Sequence, residues 1–176
     1  QATDVGRRRQ VGIYAIDDPA IAKFNAELAA IKPDARSISA DQLASLARWL
    51  QTLPADEAMA TVSERMIRGE RLRRMLQDRE WDVSSGLRAR AVRLLDYLER
   101  ADDLIPDGTP VIGHLDDALL VELTWPAFED ALGDYEDFRR YSASHKTRGT
   151  LQERIAQWET ACLAEAALYH HRQDVR

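Results

Sequence analysis

Apolar residues recur along this chain three and four positions apart, the spacing of one helix face. Ile21, Phe24, Leu28 and Ile31 form the first stripe. Asp18 and Pro19 open it as N-cap and first helical residue, and Lys32-Pro33 stops it. Ser39 and Gln42 form a capping box, after which Leu43, Leu46, Leu50 and Leu53 continue the pattern. A third helix is predicted from near Pro54 to about Arg79, with Met59, Val62, Met66, Leu72 and Met75 inward and a kink or break at Gly69. Ser84-Ser85-Gly86 punctuates, and Leu87, Ala91, Leu94, Leu95 and Leu98 then give the cleanest amphipathic stretch. Pro106, Gly108, Pro110 and Gly113 exclude a continuous helix over 102–113. The period resumes with Leu115, Leu119, Leu120 and Glu122. Pro126 is expected to open a helix with Phe128, Leu132, Tyr135 and Phe138 on one face. A second capping box, Thr150 with Glu153, opens the last helix, which carries Ile155, Trp158, Cys162 and Leu168. No segment alternates like a strand between turns. The pattern predicts an all-α fold of about seven helices in one bundle-like domain over 13–176. It contains a helix–loop–helix hairpin at about 87–125, and the basic, polar segment 1–12 is expected to be loose.

Composition agrees with one core: the 176 residues are 45% hydrophobic. With 8 Gly and 6 Pro, collagen-like and low-complexity readings fall away. Cys162 is the single cysteine, which removes internal disulfides and cysteine-based metal clusters and suits a reducing, cytoplasmic location. No run of 18 apolar residues exists to span a membrane. The start QATDVGRRRQ lacks Met and any apolar run after its arginines. It reads as no secretory signal, and as a chain trimmed or drawn from a longer product.

Charge changes the picture when it is located. The net charge of -6 is unevenly spread: residues 101–138 hold 11 acids and no Lys or Arg. Such a block is unfavourable unless cations answer it. Nine arginines between Arg65 and Arg93 are the nearest candidates, interspersed with Glu64, Glu70, Asp78 and Glu80. The mixed signs predict helices whose arginines pair with acids in cis, and argue against a nucleic-acid face. The four tryptophans, Trp49, Trp81, Trp125 and Trp158, are expected to pack in the core or at the hairpin.

Residues 102–121 read DDLIPDGTPVIGHLDDALLV. Asp103-Leu104-Ile105-Pro106-Asp107, then Pro110, Gly113 and the pair Asp116-Asp117, resemble the signature of the YkvA-like domain, a small bacterial helical domain of unknown function. Gly108-Thr109 and His114 depart from that signature, where bulkier apolar or aromatic residues are usual. The resemblance implies a helix–loop–helix hairpin and supplies no activity.

Read from the residues alone, the loop supports two chemistries. Asp103, Asp107, Asp116 and Asp117 offer the hard oxygen ligands that Mg²⁺ or Ca²⁺ take. The same aspartates also serve as helix caps and turn formers. His114 stands three residues before Asp117, on one helix face, as a ligand pair, a proton relay or a plain hydrogen bond. Other motifs fail. Pro106 breaks the continuous helix that a prenyl-transfer aspartate motif needs, and no His-Asp phosphohydrolase set, phosphate-binding glycine loop or serine elbow is present. No catalytic residue is assigned. The expected function is a non-catalytic binding or regulatory module that meets a protein partner through its acidic loop. The alternative is a divalent-metal-dependent hydrolase acting on a phosphorylated substrate, with the four aspartates as ligands and His114 as proton carrier.

Overall fold

A computed structural model of the protein describes residues 9–11, 14–100, 113–145 and 147–174. Among them, seven α-helices follow a two-stranded ribbon. The ribbon pairs β1 (Gln10–Val11) with β2 (Tyr14–Ala15) antiparallel, Val11 opposite Tyr14. The helices are α1 (Asp18–Ile31), α2 (Ala40–Thr52), α3 (Ala55–Gln77), α4 (Ser85–Glu99), α5 (Leu115–Thr124), α6 (Glu129–Ser144) and α7 (Leu151–Asp174). The all-α reading of the apolar spacing holds. Among the described residues, no helix is long and apolar enough to cross a membrane.

Local signals place the helix starts. The Ser39 hydroxyl accepts from the Gln42 amide at 3.1 Å, and the Ser39 amide donates to the Gln42 side chain at 2.9 Å, closing the expected box. The box at Thr150 and Glu153 closes in the same way. Gly149, at φ 110°, takes the left-handed turn just before it, a conformation that side chains disfavour. Asp17, one residue earlier than expected, caps α1 by accepting from the Ala20 amide at 2.8 Å.

Four expectations are corrected. Residues 9–11 are not loose: Val11 is buried against α2 residues, and Arg9 pairs with Asp18 and Asp41. Strands of two residues are too short to show alternation, so the pattern could not reveal them. Gly69 does not break α3, which ends at Gln77. It makes room for α4 instead, since a Cβ there would lie 3.0 Å from Leu98 Cδ1. Met59 points to solvent, because the small Ala58 takes the inward position beside α2. Pro126 lies in a 3-10 turn, Trp125–Ala127, and α6 begins only after Phe128.

The core has two regions. One gathers Val11, Ile16, Ile21, Leu43, Leu50 and Val62; the other gathers Phe24, Leu28, Leu72, Met75, Leu94 and Phe128. Helix α5 joins them. Leu115 and Ala118 belong to the first region, Leu120 and Val121 to the second, and Leu119 packs against both. The helix touches α1, α3 and α4, with α3 its main neighbour. Within the expected hairpin, Leu94 and Leu98 share a core region with Leu119 and Leu120, while Leu115 packs elsewhere. The hairpin's connecting residues, 101–112, lie outside the described residues.

Helix α7 is attached through aromatic rings. Trp158 stands edge-on to Trp81 and to Phe138, with centroids 6.0 and 5.8 Å away. Its indole N–H donates to Asp137 at 2.8 Å. With 24 residues against 16 in α6, its packing partner, α7 leaves Leu163, Leu168 and Tyr169 exposed. Leu168 continues the helix as its spacing predicts, but at the surface. Helical period alone does not reveal where the neighbouring helix ends.

Candidate functional site

The first turn of α5 holds the acidic pair. His114 is the N-cap residue, and Leu115, Asp116 and Asp117 follow it into the helix. Both first-turn carboxylates are buried: Asp116 is 0% exposed and Asp117 1%. Buried charges are costly unless donors reach them. Two described donors do. The Tyr97 hydroxyl of α4 donates to Asp116 Oδ2 at 3.2 Å. His114 Nδ1 lies 3.2 Å from Asp117 Oδ2, where its N–H tautomer donates. Negative charge in the first turn also complements the helix dipole, worth about 0.3–2 kcal/mol.

The pair is therefore internal on one side and connected to solvent on the other. Tyr97 is itself buried, held edge-on to Phe24 of α1 with centroids 6.2 Å apart. The His114 side chain is 52% exposed. The half-exposed imidazole thus meets Asp117 from the solvent side, while Tyr97 bonds Asp116 from within the core. His114 and Asp117 meet, as their spacing of three suggested, while Asp116 bonds Tyr97 instead. Asp103 and Asp107, the other two expected cation ligands, lie outside the described residues. Among the described residues, no three His, Cys, Asp or Glu side chains converge as a metal site would require. Tyr97 carried no signal in the sequence, because it lies 19 residues before its partner on a helix read only for its apolar stripe.

The arginines answer the acidic block as expected. Arg65 and Arg68 of α3 both reach Glu122 of α5, at 3.2 and 2.7 Å. Arg71 forms a two-pronged pair with Glu136 of α6, both bonds 2.7 Å. Between these pairs, the guanidinium carbons of Arg68 and Arg71 sit 5.3 and 5.7 Å from the Trp125 ring centroid. Trp125 therefore spaces an arginine ladder as well as packing. Other arginines neutralise different acids: Arg73 reaches Glu99, and Arg93 and Arg100 reach Glu27. Trp49, expected inside, is half-exposed at the α2 surface.

These pairs set a pH response. The Arg71 fork holds the Glu136 carboxyl below its usual 4.5. Burial pushes Glu27 up, but Arg93 and Arg100 outweigh it and the net shift is downward. A carboxyl depressed on folding adds stability above its unfolded pKa and loses it as pH falls through the folded value. The melting temperature is expected to drop as pH is lowered from about 6 to about 3, and Glu136→Gln to flatten part of that drop. An unchanged profile in Glu136→Gln would show that the pair adds nothing. Each such half-exposed pair is worth only about 0–1 kcal/mol.

A second constellation lies between α6 and α7. Asp137 Oδ2 accepts from the Trp158 indole and from the Cys162 thiol, 3.8 Å away. Burial, followed by the Asp137 charge, pushes the Cys162 thiol up, which keeps it protonated and poorly nucleophilic.

The chain matches no family model, no curated protein and no solved structure, so the YkvA-like resemblance rests on residues 102–121 alone.

Proposed function

We propose that this protein is a non-catalytic binding or regulatory module acting through its acidic segment. One observation carries the reading: the segment's described carboxylates divide into two sets. Asp116 and Asp117 are turned inward, Glu122 and Glu136 are clamped by α3 arginines, and Asp137 is bonded by the Trp158 indole. Glu129, Asp130 and Asp134 lie exposed at the start of α6 and form no ion pair with the described residues. The first set holds the fold, which leaves the second to meet a basic protein partner.

The test is a melting curve with Mg²⁺, Ca²⁺ or Mn²⁺, repeated in EDTA. A binding module keeps the same melting temperature throughout. A cation-dependent rise would overturn the reading, since a ligand of the folded state raises stability by mass action. If Asp116→Asn abolished that rise, the metal-dependent hydrolase would take its place, with Asp103, Asp107, Asp116 and Asp117 as ligands and His114 as proton carrier.

A further inference from the structure

The α3–α6 seam carries a cleft of about 390 Å³ lined by Arg71, Arg74, Tyr135, Glu136, Arg139 and Arg140. Four guanidinium groups and one carboxylate line it. The four arginines differ in how fully they are engaged. Arg71 spends two nitrogens on Glu136. Arg139 leans away to Asp78 and Glu80, at 3.3 and 3.4 Å. Arg140 has only a 3.5 Å contact with Asp137, and its side chain is 77% exposed. Arg74 forms no ion pair with the described residues and stands at the surface. Both Arg74 and Arg140 lie near enough to Glu136 to lower its pKa alongside Arg71. One carboxylate thus sits among three guanidinium groups.

We propose that this cleft binds a small phosphate-bearing molecule, with Arg74 and Arg140 supplying the charge-assisted hydrogen bonds and Arg71 the fixed wall. Guanidinium forks match phosphate oxygens in geometry and stay charged at every working pH. The Glu136 carboxylate already shows how the site holds an anion: it accepts two parallel bonds from Arg71. A phosphate group adds charge that the remaining forks can answer. The Tyr135 hydroxyl is spoken for by Asp78 at 2.9 Å, so the ring forms a floor and donates nothing to the ligand. This site is separate from the acidic turn of α5 and does not depend on its role.

Calorimetric titration of the full chain with inorganic phosphate, and then phenyl phosphate, tests the proposal at ionic strength matched with chloride. Saturable binding is expected for both. The double variant Arg74→Ala, Arg140→Ala is expected to lose roughly tenfold or more in Kd. Glu136→Gln, which removes the one carboxylate of the lining, is expected to tighten binding. Arg90→Ala, an exposed arginine on α4, is the control and should leave Kd unchanged. Binding equal to that of chloride, or retained in the double variant, would overturn the proposal. A phosphoserine peptide bound with at least tenfold lower Kd than phenyl phosphate would overturn the small-molecule assignment in favour of a phosphorylated protein.

Discussion

Phe128→Ala is expected to lower the unfolding free energy by about 3–5 kcal/mol. The ring is fully buried at the junction of the 3-10 turn and α6. It shares its core region with Leu72 and Met75 of α3, Leu94 of α4, and Leu120 and Val121 of α5. Truncation leaves a hole bordered by elements that are tied together elsewhere by ion pairs, so collapse into it is limited. Urea denaturation should show a lower midpoint with an unchanged slope, and the melting temperature should fall by about 2–4 °C per kcal/mol. A loss under about 1 kcal/mol would mean that the ring is not enclosed as described.

Trp158→Ala is expected to cost about 3–5 kcal/mol as well, with a local rather than global signature. The indole is the apolar anchor of α7, touching Trp81 and Phe138, and its N–H bond to Asp137 adds a polar tie. Arg154, one turn earlier, reaches only the half-exposed Glu80 at 3.2 Å. Loss of the indole should release α7 while α1 to α6 stay folded. Limited proteolysis should then cut within or just before α7, and helical circular dichroism should drop by a fraction set by that helix. Trp158→Phe keeps the ring contacts and loses the hydrogen bond, at about 1 kcal/mol. Equal protease resistance in Trp158→Ala and the parent chain would contradict the anchoring role.

Helix existence was legible because its signals are local. Two capping boxes, Pro19 and the Lys32-Pro33 stop lie within a few residues of what they control, and each agreed with the apolar stripe beside it. Errors arose where a distant element decided the outcome. Ala58 outcompeted Met59 because α2 comes close at that point. Gly69 looked like a flaw in α3 and is a point of approach for Leu98. Asp116 and Asp117 read as helix caps or cation ligands, and neither role announces burial, which is rare for aspartate. They lie buried in the first turn of α5, and the Tyr97 hydroxyl that reaches Asp116 belongs to another helix. The pairing of α3 arginines with the acidic block was legible as a charge balance. Which arginine met which acid, and that Trp125 stood between two of them, required the fold.

The acidic turn of α5 is part of the core, bonded there by Tyr97 and His114 of this same chain. A double-mutant cycle between Tyr97→Phe and Asp116→Ala, measured by urea denaturation, reads that bond. The first change removes only the hydroxyl, and the second only the carboxylate it meets at 3.2 Å. Each single variant should lose about 1–3 kcal/mol, since each breaks a buried hydrogen bond to a carboxylate. The double variant should lose less than the sum, with a coupling of about 0.5–3 kcal/mol. Strict additivity, or an Asp116→Ala variant as stable as the parent, would show that Tyr97 does not hold the turn in the core.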